Sequence, residues 1–221
     1  MREYILEKVK DTTRFFSSGG IEVEVVDALP EGFNLKKIFN SIESNLPPHF
    51  FRNLRRIRIE DIPEFKYREI NAIYKDNEFI ISPDQDDVRD LTDDIIHEFA
   101  HHIETLYTEK IYADERIKDE FLKKRQELKF EIQSEGYWVE DYNFDDLKFN
   151  KDFDLFLYKR IGRNMLKMMT SGIFIRPYAS ISLREYFATG FEAYYLGKKN
   201  TLEKISPLLY DKIDELHHED I

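Results

Sequence analysis

His97 and His101 stand four residues apart, with Glu98 directly after the first, inside the run from Asp90 to Leu106. Residues i and i+4 lie one above the other only on a helix, so these imidazoles can serve one ion only if the run is helical. His-Glu-x-x-His is a zinc-hydrolase signature: the two rings hold the ion, which lowers the pKa of its water, and the glutamate takes the water's proton as it attacks a carbonyl. The flanking residues supply the helix that this chemistry needs. Val88, Leu91, Ile95, Phe99, Ile103 and Leu106 recur at steps of three and four, the apolar stripe of an amphipathic helix. His97 follows Ile95, and His101 follows Phe99, by two positions, roughly half a turn, so the stripe can face a core while the histidines face a cleft. Pro83 marks the start, and Asp84, Asp86, Asp87 and Asp90 suit the positive end of the helix dipole.

The 221 residues fit one domain or two small ones and are ample for a real core, and 42% of them are hydrophobic. No apolar run is long enough to span a bilayer, and Met1 to Lys10 has no apolar signal-peptide centre. The expectation is a chain off the membrane: cytoplasmic if Met1 is natural, secreted if a signal was trimmed. A net charge of −11 argues against nucleic acid, whose binding draws on clustered Lys and Arg. With no cysteine there are no disulfides and no thiolate ligands, so any zinc must be held by histidines and carboxylates.

Before the motif, Ile21 to Val25 alternates apolar and charged residues after Gly19-Gly20 and reads as a half-buried strand. A helix over about 34–44 buries Leu35, Ile38, Phe39 and Ile42 and stops before Pro47-Pro48. Ile57 to Ile59, Ala72 to Tyr74 and Glu78 to Ile81 read as short strands, the last two joined by a turn at Lys75-Asp76-Asn77. After the motif, 113–135 predicts a charged helix ended by Gly136, and 137–146, acidic and aromatic, reads as a loop that packs its rings on the surface in preference to a substrate-facing lobe. A helix over 153–169 carries Leu155, Tyr158, Ile161, Met165, Leu166 and Met169 as a core stripe. Ser182 and Glu185 form a capping box that starts a helix with Phe187, Phe191 and Tyr194 inward, and Leu202 to Leu216 predicts one more. His217-His218 reads as a solvated terminus.

A catalytic zinc takes three protein ligands and leaves a position for water. Tyr107 stands where the third histidine of the extended His-Glu-x-x-His-x-x-Gly-x-x-His motif would be, and Glu104 replaces its glycine, so that class is excluded. The third ligand is then a glutamate from a later helix, with Glu185 and Glu192 as candidates and Glu104 a solvated carboxylate or one supporting the ligands from behind.

The segment Tyr178-x6-Glu185-Tyr186-Phe187-Ala188, far downstream of His-Glu-x-x-His, resembles the anthrax lethal factor catalytic domain and the related secreted Pro-Pro endopeptidases. The resemblance reaches over about 21–216, closely only in the two motif stretches. It implies a zincin-like α+β domain, predominantly helical, with a small N-terminal mixed sheet beside the active-site helix. It further implies one zinc on His97, His101 and Glu185, Glu98 as general base, Tyr178 as oxyanion stabiliser, and a peptide pairing with the strand at Ala72-Ile73-Tyr74. The relatives commonly carry a glutamate four residues after the ligand glutamate. Here that residue is Thr189, which cannot act as a second carboxylate, and Glu192 is the nearest substitute.

The expectation is therefore one metallopeptidase domain over 1–221: sheet and active-site helix at about 20–106, a charged helical insertion at 110–150, and the third-ligand part at 153–216. It is a zinc endopeptidase of the gluzincin type, taken as a monomer, acting on a protein or peptide with no nucleic-acid or membrane partner. The rival is a binding or scaffolding module of a toxin or phage-like system that keeps the fold and hydrolyses nothing. Thr189 and the insertion favour the rival, whereas the intact Glu98 weighs against it, because a structural zinc site needs no base.

Overall fold

The alternation at Ile21 to Val25 does make a strand, β2 (Glu22–Val25), but a first strand, β1 (Thr13–Phe16), precedes it and pairs antiparallel with it. The turn between them closes with Ser17 C=O accepting from Gly20 N–H at 3.0 Å, and Gly20 takes the positive φ of 84° that favours glycine. β1 shows no alternation of burial, so its sequence carried no strand signal. The computed structural model describes residues 12–68 and 70–219; Met1 to Lys10, read above for a signal peptide, lies outside them. The chain forms two compact units, one ending at Glu98 and the other beginning at Phe99. The division falls inside one unbroken helix, α3 (Val88–Leu106).

The first unit is built on a five-stranded mixed sheet. Its strands run β1-β2-β3-β5-β4, with β3 (Arg56–Ile59), β4 (Ala72–Lys75) and β5 (Glu78–Ile81). β2, β3 and β5 are parallel neighbours, and the antiparallel β1 and β4 form the edges. In register, Val23, Ile57 and Phe79 make one fully buried row, which pins the sheet because a one-residue slip would expose all three. On the opposite face Glu24 accepts from Arg14 at 2.6 Å and lies 3.5 Å from Arg56. α1 (Leu35–Asn45) is capped by Asn34, whose side chain accepts from Lys37 N–H, and buries Ile38, Phe39 and Ile42. α2 (Pro63–Arg68) is one short turn more. The β4–β5 turn places Asp76 and Asn77 at φ of 54° and 61°, the left-handed pair of a tight hairpin.

The second unit is helical. After α4 (Thr108–Tyr112) comes α5 (Arg116–Ser134), which starts three residues later than the charge pattern suggests, because Glu115 turns left-handed at φ 56°. Gly136 ends α5 as expected: its N–H reaches Gln133 C=O, and Tyr137 N–H reaches Ile132 C=O. In the following loop Val139 and Phe144 are buried and Tyr142 stacks on Phe156 at 3.9 Å, so the aromatics pack as predicted, while Trp138 is exposed.

The single helix predicted over 153–169 is three pieces: α6 (Lys151–Leu155), a π-helical turn (Phe156–Gly162) and α7 (Arg163–Met169). Gly162, at φ 90°, breaks the run, and Leu155 faces solvent rather than core. A 3-10 turn (Pro177–Ser180) leads into α8 (Leu183–Tyr195) and packs against it. The predicted last helix is also split, into α9 (Lys199–Ile205) and α10 (Pro207–His217), since Pro207 lacks the N–H needed to continue a helix but fits the first turn of the next. α8 packs on α10 so closely that a Cβ at Gly190 would stand 2.3 Å from Leu209 Cδ2. His217 is not a solvated end: it lies half-buried, with Nδ1 2.8 Å from Tyr195 Oη. The class is α+β, with far more helix than strand.

Candidate metal centre

α3 starts where Asp87 accepts from the N–H groups of Arg89 at 2.6 Å and Asp90 at 3.0 Å, and these bonds hold its carboxyl below the usual range. Leu91, Ile95, Phe99 and Ile103 of the predicted stripe are buried. Val88 is exposed and Leu106 half-buried, so the stripe is shorter than the periodicity suggested. On the other side of the helix His101 and Glu98 are buried and His97 is half-buried; His102, which the motif does not use, lies on the apolar stripe itself, fully enclosed with its ring edge-on to Phe99.

The third donor comes from α8. Ser182 caps that helix by accepting from Glu185 N–H at 3.2 Å. This is the backbone half of the predicted capping box; the Glu185 carboxylate is aimed elsewhere, with Oε1 3.7 Å from His101 Nε2. His97 stands one turn before His101 on the same unbroken helix, so helix geometry sets its place relative to that ring. One donor atom each from His97, His101 and Glu185 lies within 4.8 Å of the others. A tetrahedral zinc with bonds of about 2.0–2.1 Å sets its donors about 3.4 Å apart, so small side-chain rotations satisfy it, and two imidazoles with one carboxylate are a zinc donor set. No family model matches the chain, and no curated protein or solved structure matches it either.

Among the described residues this is the cluster of histidines and acids suited to a metal, and Glu192, the other candidate ligand, is outside it. Glu192 is buried in an ion pair with Arg176, seven residues beyond Glu185, and so offers no second carboxylate in place of Thr189. The Thr189 hydroxyl turns back on its own helix, donating to Glu185 C=O at 2.9 Å. Tyr178 lies on the 3-10 turn packed against α8 and is 36% exposed.

Glu104, read from the sequence as a solvated carboxylate or one supporting the ligands, and four groups that the sequence gave no reason to choose (Arg184, Tyr112, Tyr158 and Asp94) lie around these residues. Glu104, one turn after His101, has Oε2 3.8 Å from His101 Nδ1 and takes a 2.5 Å hydrogen bond from Tyr112 Oη. Arg184 Nε is 3.0 Å from the same Nδ1 and 3.5 Å from Glu104 Oε2. Burial, then the charge of Glu104, pushes the Tyr112 phenol well above its ordinary range. On the π-helical turn burial raises Tyr158 to about 12, with the charge of Glu185 a smaller contributor. Asp94, one turn before His97, is raised to about 6, mainly by burial. Tyr112 and Tyr158 are hard to find because the chain has thirteen tyrosines and neither sits in a motif.

Proposed function

We propose that this chain is a zinc-dependent endopeptidase of the zincin-like, lethal-factor-like kind. The observation that carries the reading is the convergence of His97, His101 and Glu185 beside the buried Glu98. The Tyr178-x6-Glu185 spacing supports it, since it brings the ligand glutamate in on a separate helix after a turn that carries the tyrosine.

Bound zinc supplies Lewis acidity to the scissile carbonyl and to water. Glu98, next to a ligand yet on the neighbouring face of α3, accepts the proton of the attacking water and returns it to the leaving amine. Its burial keeps bulk water from competing for that proton. Tyr178, with its hydroxyl on an accessible turn, hydrogen-bonds the oxygen on which charge develops. The substrate is an extended peptide that adds to β4, one of the two edge strands of the sheet, by main-chain hydrogen bonds.

The test is cleavage of a diverse peptide library by the wild type and by Glu98→Gln, with zinc content measured in both. The expected result is one zinc in each and cleavage by the wild type, with the variant slower by about 10²–10⁴-fold. Full activity in Glu98→Gln would remove Glu98 from its role; a zinc-loaded wild type that cuts nothing in the library would overturn the peptidase.

A further inference from the structure

We propose that Glu104, held by Tyr112, is the positioning residue that sets His101 for coordination, and that Arg184 is a cation that changes partner from His101 to Glu104 when the ring's far nitrogen binds zinc. The proposal rests on the zinc reading above and extends it to three residues that touch no substrate.

Which ring nitrogen of His101 holds the proton decides which neighbour it pairs with. His101 points Nε2 toward Glu185, the side on which an ion would sit, and Nδ1 toward Glu104 and Arg184. An imidazole that gives its Nε2 lone pair to a cation carries its proton on Nδ1, and that N–H needs an acceptor. Glu104 Oε2, at 3.8 Å, is the carboxylate on that side. Arg184 Nε–H, a donor 3.0 Å from Nδ1, can stay only while Nδ1 keeps its lone pair. The same N–H lies 3.5 Å from Glu104 Oε2, so a short swing transfers it from the ring to the carboxylate.

Burial supports this division of labour. The Glu104 side chain is 15% exposed and fastened by Tyr112, whereas Arg184 is 51% exposed and free to swing through solvent. Arg184 also directly precedes Glu185, so α8 delivers both the third donor and the cation that balances Glu104. Carboxylates that receive the outer N–H of a ligating histidine typically matter about 10–100-fold in metal affinity or activity.

The experiment is zinc affinity by competition with a chromophoric chelator, for the wild type, Glu104→Ala, Glu104→Gln and Tyr112→Phe, with circular dichroism confirming that each is folded. In parallel, ¹⁵N NMR of the histidines follows a zinc titration of the wild type. The expected order is a loss of about 10–100-fold in Glu104→Ala, partial rescue in Glu104→Gln, whose amide oxygen can still accept, and about a threefold loss in Tyr112→Phe. The His101 proton should move to Nδ1 as zinc binds. Affinities within twofold of a zinc-binding wild type in all three variants would overturn the positioning role alone. A folded wild type that takes up no zinc would overturn the metal reading beneath it.

Discussion

Two polar clusters in the second unit are built on opposite plans. On α5, Lys124 donates to Ile173 C=O at 2.8 Å and Ile205 C=O at 2.5 Å, and Arg125 donates to Ser180 C=O at 2.6 Å and Asn143 C=O at 3.1 Å. Glu120 accepts from the first-turn N–H groups of Leu208 and Leu209 and from Tyr186 Oη. Each of these side chains meets complementary groups, with Arg125 Nε alone lacking a hydrogen bond in the cluster, so the cluster closes helix ends and ties α5 to α8, α9 and α10. Around His101 the pairing differs: Nε2 and the Glu185 carboxylate approach to 3.7 Å, wider than a hydrogen bond, and both are groups that ligate cations. Buried charge alone therefore does not mark a site. On the proposed reading, the distinction lies in whether the facing groups complete one another or are of the kind that ligate a cation.

Breaking the α5 cluster should cost stability and spare metal. Arg125 is 1% exposed, its guanidinium stacks 4.0 Å from the Phe153 ring, and burial lowers it to about 10. Arg125→Met should lose about 3–5 kcal/mol in urea denaturation while zinc affinity of the folded protein stays within threefold of wild type. Glu120→Ala uncaps α10 and deprives Tyr186 of its acceptor, an expected loss of about 2–3 kcal/mol in the same assay. Gly190→Ala sets a methyl against Leu209 between α8 and α10. It should cost about 1–2 kcal/mol despite alanine's better helix propensity, read as a lower Tm.

The smallest effect sharpens the comparison through pH. Asp94, which accepts from Gln85 Nε2 at 3.0 Å, is raised by burial to about 6 in the fold from its ordinary value of 3.8. Between those pH values the folded state binds the proton that the unfolded state has released, so Asp94 costs nothing at pH 3.8 and below and its full penalty above pH 6. In zinc-free protein, Asp94→Asn should therefore raise stability by on the order of 1–2 kcal/mol at pH 7.5, and the difference should vanish near pH 4. A pH-independent difference would assign the effect to packing.

What the sequence showed and hid follows from the range of the interactions. α3 was legible because the motif and the stripe demand one helical period, and the α5 end because Gly136 supplies a local stop. Ser182 announced α8, but the same rule misassigned the Glu185 side chain, which a tertiary partner claims. β1 and the break before Pro207 lack or contradict periodicity, and the π-helical turn before Gly162 imitates an ordinary helix in its apolar spacing. Lys124, Arg125 and Glu120 meet partners 18 to 89 residues away, which no spacing rule reaches. Glu104 and Tyr112 are eight residues apart but on different helices, so their pairing also depended on the turn between them.

The central claim is that His97, His101 and Glu185 hold one ion. It is tested most directly by metal content after dialysis against trace zinc, comparing the wild type with Glu185→Gln and Glu192→Gln. The account predicts one zinc per chain in the wild type and in Glu192→Gln, and at most a trace in Glu185→Gln with its circular dichroism unchanged. Stoichiometric zinc in Glu185→Gln, or its loss in Glu192→Gln alone, would contradict it.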